Sequence, residues 1–551
     1  MAGLGATSDE GQTSESASQK VREPPMSRTK IVATIGPRTN NAQSIAELVD
    51  AGMDVARLNG AHGDRAWHSR AIDLLRTVAP DVPIILDLPG RKVRIGRLDR
   101  TRSCQVGDLV RFTTSKDAAG PTTVPVTADL YDDVSVGDVL RVDDGAMAFT
   151  VVDVVGHDVV CRADCPGTIS SGKGVGVLSR AKAATLTTQD LTGIELATRK
   201  GVDFVGVSFV SSPEHVERVR AVCGADGPRI IAKIEDEDGL RNLESIVDVA
   251  DGLLLDRGDL AVHTSLESLV TAQKHVLEVA RAAAKPVIVA TELLHSMIER
   301  PAPTKAEVCD IGHAVLDGAS AVMLSGETAI GKYPVEAVSL MRRVVDAAAA
   351  HEQAVLEQQL SDARGSIPPA MAEAVSLLCR RLPVTKIVAI TIGGFAARMA
   401  AMGRPRQPIL AVTNDAAAAR SFNLLPGTEG IYVDIQFSRT STDHIAACLE
   451  TLWRRGEVSE EDLILVTSLS YPKSGNRMNL IQTHRIADLR DALQWRGRPV
   501  GGKVNRTPSN SGAGGLPLSA MAGERGDFAG HQPTGASNYG RFREMAGGDS
   551  L

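Results

Sequence analysis

Four apolar runs of strand length each end on reactive side chains, and this recurrence limits the possible folds more than any other feature. Helical sequence follows the runs, as in residues 272–284 after the second one. Such runs are typical of buried parallel strands, and in a closed barrel of strand–helix units all carboxyl ends open to one mouth. The runs and the reactive residues are 230–235 with Lys233 and Glu235, 252–259 with Asp259, 286–291 with Thr291, and 321–327 with Ser325.

The residues at these strand ends predict a type of chemistry. Lys233 and Glu235 are two positions apart, so on a strand they face the same side. One mouth would gather a cation, the two carboxylates of Glu235 and Asp259, and the hydroxyls of Thr291 and Ser325. A metal-assisted phosphoryl-transfer site needs these groups.

Four more apolar runs, at 30–36, 55–61, 83–90 and 204–210, bring the number of predicted strands to eight. Strand and helix alternate throughout, except between residues 89 and 180, where short β-rich pieces and turns such as Asp144–Gly145 occur. We therefore predict an α/β chain with a (β/α)8 TIM barrel formed by 27–88 and 181–350. A small β-barrel lid domain would be inserted at 89–180.

The second half of the chain predicts a separate domain. Strand-like runs at 386–391, 408–413, 430–434 and 463–467 alternate with Ala-rich helical sequence. Four parallel strands with covering helices indicate a doubly wound C-terminal α/β domain at 365–486. Residues 1–26 and 487–551 lack apolar periodicity, so we predict that both segments are disordered.

Composition excludes several classes of partner. The net charge of −7 gives no reason to expect binding to nucleic acid or to an anionic membrane. No apolar stretch reaches the ~18 residues of a membrane span, and the first 25 residues lack the apolar core of a secretory signal. Seven scattered cysteines favour reduced thiols, because nothing completes a tetrahedral metal set around Cys161 and Cys165. We expect a cytoplasmic protein.

Three segments carry a resemblance to a known family. They are RTKIVATIGP at 28–37, GMDVARLN at 52–59, and the stretch 303–329, which contains PTKAE and MLSGETA. The chain resembles pyruvate kinases over residues 27 to about 485. The resemblance implies phosphoryl transfer from phosphoenolpyruvate to ADP, which gives pyruvate and ATP in glycolysis, by a homotetramer.

The resemblance also implies roles at the barrel mouth. Lys233 would contact the transferring phosphoryl group, and Glu235 and Asp259 would bind Mg²⁺ or Mn²⁺. The backbone at Gly258 and Asp259 would receive the substrate carboxylate next to Thr291. From the residues alone, two other interpretations remain open: Lys233 as a barrel-rim lysine paired with Glu235, and Asp259 as a helix cap.

Further residues match the family pattern around the phosphates and the nucleotide. Thr291 and Ser325 would relay the proton that converts enolpyruvate to pyruvate, although a strand-end Thr is often a cap. Arg57 and Arg94 would lie over the phosphates. The nucleotide side would be formed by Arg57, Arg94, His62, Lys173 and Asp143, of which His62 is also typical of a solvated loop.

The family's monovalent-cation site is incomplete in this sequence. Asn59 and Asp87 remain, but Ala61 and Leu88 replace a Ser and a Thr ligand. Lys92 stands where K⁺-dependent members carry Glu, and its ammonium can replace the charge of the ion. We therefore expect no K⁺ requirement, with a solvated surface lysine as the alternative for Lys92.

Other departures lie near the predicted pocket. Asp256 replaces an Ala, Ala261 a Gly, Glu292 a Gln, and Gly176 an Asn of the lid. The acidic changes weaken binding of a polyanion unless they point away or bind metal. Two other functions therefore remain open. The protein is then either a paralogue that acts on another enol phosphate or three-carbon acid, or a non-catalytic regulatory homologue. Residues 391–396 offer few hydroxyls, so we expect no activation by fructose bisphosphate.

Overall fold

The computed structural model describes residues 29–90, 93–115, 120, 122–128, 130–131, 134–143, 145–177, 186–356, 367–438, 441–469 and 478–497. Several sequence predictions lie outside the described residues. They are the role of Lys92, the turn at Asp144, and the disorder of residues 1–26 and of the tail beyond 497.

Eight parallel strands close into a barrel in which the order around the cylinder follows the chain. The first strand pairs with the last, Lys30 lying opposite Ala321, so the sheet has no edge. The TIM barrel prediction is confirmed. The strands are Lys30–Thr34, Val55–Asn59, Ile84–Asp87, Phe204–Val207, Arg229–Ile234, Gly252–Asp256, Val287–Ala290 and Ala321–Leu324.

Helices cover the outside of the barrel because each presents an apolar stripe to the strands. Thr187 and Thr304 begin two of these helices with complete capping boxes. No helix among the described residues is long and apolar enough to cross a bilayer. The α-helices are Ala42–Asp50, Arg65–Val78, Thr188–Arg199, Pro213–Cys223, Glu237–Arg241, Leu243–Val249, Arg257–His263, Leu269–Ala282, Lys305–Leu316, Gly326–Ala329 and Pro334–Leu356, with 3-10 turns at Leu266–Ser268 and His295–Ile298.

The lid follows the third barrel strand and consists of a six-stranded and a two-stranded sheet. Arg94 bridges Gly174 beside one edge of the larger sheet, and Ile95 bridges Val126 beside the other edge. These two bridges close the sheet into the small barrel that the sequence predicts. The strands are Arg102–Cys104, Leu109–Thr113, Thr123–Pro125, Val139–Val142, Met147–Val155, Asp158–Ala163, Gly167–Ile169 and Val175–Val177.

The C-terminal domain is a five-stranded sheet with helices on both faces. Across the sheet, its strands are Thr428–Tyr432, Ile409–Thr413, Lys386–Ile390, Leu463–Ser468 and Leu480–Arg485. The helices are Ile367–Arg381, Phe395–Met402, Ala416–Phe422, Asp443–Arg455 and Ile486–Ala492.

Two sequence predictions for this domain were incomplete. The fifth strand, Leu480–Arg485, is antiparallel, and its mixture of exposed and half-buried residues leaves no apolar pattern to detect. The tail was predicted to begin at 487, but the helix Ile486–Ala492 continues past that point. Trp495 is 8% exposed and its ring lies 5.8 Å from that of Trp453, so the packed part of this domain includes Trp495.

The C-terminal domain closes the amino end of the barrel. Leu424 is 1% exposed and joins the apolar cluster inside the barrel, where it packs with residues such as Phe204 and Leu254. Around it, Lys30 Nζ donates to the carbonyl of Thr428 at 3.0 Å. Only the carboxyl ends of the strands are therefore left to form a site, as in other barrels of this kind.

Replacing Leu424 by Ala tests whether this residue helps to close the amino end of the barrel. The substitution opens a cavity in the barrel interior, and such a change costs about 2–5 kcal/mol. We expect the midpoint of thermal unfolding to fall by about 3 °C or more. The matched control is Leu377→Ala, since Leu377 is 46% exposed on a helix of the same domain. Equal unfolding midpoints for the two variants in differential scanning calorimetry contradict this role of Leu424.

Candidate active site

Lys233 is the centre of the charged network at the carboxyl ends of the strands. The residue is 5% exposed, and its ammonium lies 2.7 Å from Glu235 Oε1 and donates to Ser208 Oγ at 3.1 Å. Asp87 Oδ2 and Asp256 Oδ2 lie 3.8 and 3.9 Å away. Burial alone lowers the pKa of Lys233, but these three carboxylates raise it above the ordinary lysine value. The ammonium therefore stays charged.

Arg57 forms a second buried ion pair beside this network. Its Nε and one terminal nitrogen donate to Asp87 Oδ2 at 2.9 and 2.6 Å, and the other terminal nitrogen donates to Thr34 Oγ1 at 3.1 Å. Gly206 makes room for Asp87, because a Cβ at this position would lie 2.1 Å from Asp87 Oδ1. The position of Arg57 thus depends on a carboxylate that fits only against glycine.

Three carboxylates at the mouth are close enough to bind one cation. Ligand oxygens of Glu235, Asp256 and Asp259 all lie within 4.8 Å of one another. An all-oxygen carboxylate set suits hard divalent cations such as Mg²⁺ or Mn²⁺. The donor set therefore fits the predicted metal site, and it contains one carboxylate more than the sequence analysis assigned.

Glu235 has the strongest constraints of the three. It is fully buried, and its Oε2 accepts the backbone N–H of Phe209 at 2.7 Å. Burial raises the pKa of Glu235 to about 7; the Lys233 ammonium opposes this rise, and the charges of Asp259 and Asp256 add to it. A cation bound here removes the cost of crowding these carboxylates.

The amino end of the helix Arg257–His263 differs from the sequence expectation. The Gly258 N–H donates to Thr291 Oγ1 at 2.8 Å, and the Asp259 N–H donates to Asp256 Oδ1 at 3.4 Å. Thr291 has a positive φ of 70°, and its hydroxyl donates to the carbonyl of Ala290 at 2.6 Å. The backbone donors that the sequence analysis offered to a substrate carboxylate thus already have partners within the chain.

Ser325 lies at the end of the last barrel strand, immediately before the short helix Gly326–Ala329. Its N–H donates to Glu327 Oε2 at 2.8 Å. Its hydroxyl oxygen is buried and has no hydrogen-bond partner among the described residues. A buried hydroxyl without a partner is a group that a bound ligand or water can complete.

The predicted nucleotide-side residues form two contacts. In the lid, Lys173 Nζ lies 2.6 Å from Asp143 Oδ1, and Arg94 donates to the carbonyl of Gly172 at 2.9 Å. On the barrel side, partial burial lowers the pKa of His62, and the charges of Arg94 and Arg57 lower it further. Charges on both sides of the lid–barrel junction therefore act on the His62 imidazole, Arg94 from the lid and Arg57 from the barrel.

The remnants of the monovalent-cation site have other partners. Asn59 Oδ1 accepts the N–H of Ala61 at 3.1 Å, and Asp87 pairs with Arg57. Leu88 is 2% exposed and packs in the apolar core. The side chain that replaces the family's Thr therefore serves packing instead of ion binding.

The other departures from the family pattern occupy different environments. Asp256 is 6% exposed within the charged network, whereas Glu292 is exposed and has a positive φ of 59°. Gly176 lets the lid pack closely on the helix Arg257–His263, because a Cβ there would lie 2.7 Å from Val262 Cγ1. Of the two acidic changes, only Asp256 belongs to the buried network.

Three residues of the network were missed in the sequence analysis. Ser208 links Lys233 to the carbonyl of Leu88, Phe209 donates its N–H to Glu235, and Thr34 accepts from Arg57. Ser208 and Phe209 follow the strand Phe204–Val207, so the strand-end rule that selected Lys233 could have found them. They were not selected because neither residue carries a charged side chain.

Comparisons with known proteins identify the architecture. The family model described as the pyruvate kinase barrel domain matches residues 26–338, and the one described as the pyruvate kinase alpha/beta domain matches residues 369–484. A solved structure of a pyruvate kinase from Cryptosporidium parvum superposes with a TM-score of 0.73 at 28% identity. That superposition covers 83% of this chain and 96% of the other.

Curated relatives extend over most of the chain. A pyruvate kinase of Mycobacterium intracellulare is 37% identical over 472 residues, which cover 84% of this chain and 99% of the relative. Pyruvate kinase 2 of a Synechocystis species is 35% identical over 489 residues, or 86% of this chain and 81% of the relative. Together with the closed barrel, its lid and the charged mouth, these matches show that the chain belongs to the pyruvate kinase family.

Proposed function

We propose that the protein transfers the phosphoryl group of phosphoenolpyruvate to ADP, with Mg²⁺ or Mn²⁺ and without a K⁺ requirement. The observation that carries the proposal is the charged, buried Lys233 beside the carboxylates of Glu235 and Asp259. Membership of the pyruvate kinase family supports the reaction. Assembly as a homotetramer and a cytoplasmic location are expectations of the family resemblance.

The reaction breaks the bond between phosphorus and the enol oxygen and forms one to a terminal oxygen of ADP. Negative charge on the transferring group is the main obstacle, so fixed cations at the mouth supply most of the catalysis. Lys233 and Arg57 hold their positive charge there through buried ion pairs. A divalent cation bound by Glu235 and Asp259 supplies further charge neutralisation.

Enolpyruvate must then gain a proton at its terminal carbon to become pyruvate. Thr291 and Ser325 supply the hydroxyl groups for this step. The Thr291 hydroxyl is oriented by the Gly258 N–H and the Ala290 carbonyl, and the Ser325 hydroxyl is buried and available. Both lie at strand ends on the side of the barrel where Lys233 and Asp259 lie.

One observation favours a second candidate function. Asp256 adds a buried negative charge where the family pattern has Ala, and repulsion between like charges disfavours a polyanionic substrate. A relative that acts on a less charged enol phosphate or three-carbon acid is therefore the alternative. Rapid turnover of phosphoenolpyruvate with ADP in a coupled assay of pyruvate release decides against this alternative.

Replacing Lys233 by Met tests the main proposal. The variant loses the charge that stabilises the transferring group, so we expect turnover to fall at least about a hundredfold. Pyruvate release is measured in a lactate-dehydrogenase-coupled assay with phosphoenolpyruvate, ADP and Mg²⁺. Lys274→Met is the control, since Lys274 is exposed and pairs with Asp317 on the barrel surface. Similar rates for both variants, or an inert wild type, contradict the proposal.

Independence from K⁺ is tested in buffers without sodium or potassium. The cation cage retains only Asn59 and Asp87 of its four side chains, and Asp87 already pairs with Arg57. We expect the rate to change less than about twofold when K⁺ replaces tetramethylammonium at equal ionic strength. A K⁺-dependent pyruvate kinase measured in parallel shows that the buffers are free of K⁺. A large gain for this protein on adding K⁺ rules out the prediction.

We expect fructose bisphosphate not to change the dependence of the rate on phosphoenolpyruvate concentration. In the loop after the strand Lys386–Ile390, Thr391 Oγ1 accepts the Gly394 N–H at 3.1 Å, and Arg398 donates to the carbonyl of Gly393. Thr391 carries the only hydroxyl of residues 391–396, so the loop offers a sugar phosphate few hydroxyl donors. The measurement is the phosphoenolpyruvate concentration at half-maximal rate, with and without the effector. A shift greater than about threefold refutes the expectation.

A further inference from the structure

The turn after the strand Val287–Ala290 holds two consecutive non-glycine residues in the left-handed region of backbone conformation. Thr291 has a φ of 70° and Glu292 has a φ of 59°. Residues with a Cβ disfavour this region, and a β-branched threonine there is a clear outlier. Such a conformation persists only where the surrounding structure holds it, and it is concentrated at functional sites. The turn therefore needs contacts that keep it left-handed.

Arg257 makes these contacts from the end of the neighbouring strand. One terminal nitrogen of its guanidinium donates to the carbonyl of Thr291 at 2.7 Å, and its Nε donates to the carbonyl of Ala290 at the longer distance of 3.4 Å. The two carbonyls belong to the peptide units on either side of the Thr291 Cα. Rotation of either peptide unit would turn its carbonyl away from the guanidinium, so Arg257 opposes relaxation of the turn.

Asp310 fixes the guanidinium from the other side. It lies on the helix Lys305–Leu316, and its Oδ1 accepts a hydrogen bond from the second terminal nitrogen of Arg257 at 2.8 Å. The Arg257 side chain is only 13% exposed, and hydrogen bonds between charged partners are stronger than neutral ones. Each of the three guanidinium nitrogens thus has an acceptor within the chain. This arrangement fits a role in holding the turn instead of a role in contacting substrate.

The Thr291 hydroxyl depends on the conformation of this turn. It donates to the carbonyl of Ala290 at 2.6 Å and accepts the Gly258 N–H at 2.8 Å. The backbone conformation of Thr291 sets the direction of its side chain, so relaxation of the turn moves the hydroxyl away from these partners. The contacts of Arg257 with the two carbonyls therefore also determine where the hydroxyl lies.

We infer that Arg257, held by Asp310, is a positioning residue that keeps the Thr291–Glu292 turn left-handed and so places the Thr291 hydroxyl for the reaction. The inference rests on the proposed function, in which this hydroxyl serves the protonation of enolpyruvate. A group misplaced by about 1 Å costs about a hundredfold in rate, so a positioning residue that never touches substrate has a large effect.

Replacing Arg257 by Lys tests the inference, because lysine keeps the charge but lacks the planar fork of donors. The coupled assay of pyruvate release gives kcat and the KM for phosphoenolpyruvate. We expect kcat to fall about tenfold or more, and KM to change less than about threefold. Arg220→Lys is the matched control, since Arg220 also binds a carbonyl and a carboxylate, those of Val249 and Asp251, at the amino end of the barrel. A raised KM at unchanged kcat in Arg257→Lys, or equal losses of kcat in both variants, overturns the inference.

The substitution Glu292→Gly supplies a readout that a general loss of packing does not produce. Glycine adopts a positive φ without the steric cost of a Cβ, so the turn then depends less on Arg257. Glu292 is exposed, and its replacement removes no buried side chain. We expect Glu292→Gly to raise the kcat of Arg257→Lys about threefold or more, and to have a smaller effect in the wild type. Equal effects in both backgrounds overturn the inference alone, whereas an inert wild type overturns the proposed function and the inference with it.

Asp310→Asn tests the anchor of the guanidinium without removing a contact to the turn. Asparagine keeps an oxygen acceptor but loses the charge, so the hydrogen bond to Arg257 weakens. We expect a kcat between those of the wild type and of Arg257→Lys, and again a gain on adding Glu292→Gly. The Asp310 side chain is 36% exposed, so the variant leaves the barrel core intact. A wild-type kcat in Asp310→Asn overturns the part of the inference that concerns Asp310.

Discussion

The buried ion network around Lys233 is the interaction on which the open end of the barrel depends. Its members come from different strands, with Asp87, Lys233 and Asp256 on three of them. Removing one partner of a buried ion pair leaves an uncompensated charge and is strongly destabilising. The network therefore requires the closed barrel, and barrel closure in turn positions the groups that are proposed to contact a phosphoryl group and a metal ion.

Most of the fold was predictable because buried strands leave a clear pattern. The barrel strands are apolar on both faces, and helical sequence follows each of them directly except the third, after which the lid is inserted, so the alternation is visible in the sequence. The strand Leu480–Arg485 has no such pattern, because it lies at the sheet edge with little burial. Trp495 was missed for a related reason, since a single buried aromatic residue in a polar stretch has no periodicity.

The candidate site was predictable in its positions and less so in its contacts. Lys233, Glu235, Asp259 and Thr291 follow from the rule that strand ends share one mouth. The partners of the Gly258 N–H and the burial of Asp256 depend on tertiary packing that no local pattern records. Asp87 was identified as a remnant of a cation site, and the structure places it in an ion pair with Arg57 that the sequence analysis did not anticipate.

Gly176 has a consequence for the helix that carries Asp259. Without a side chain at this position, the lid strand Val175–Val177 rests directly on the helix Arg257–His263, against Val262 and His263. The same helix carries Asp259, one of the proposed cation ligands. Any side chain added at position 176 would therefore have to displace either the lid strand or the helix that carries Asp259.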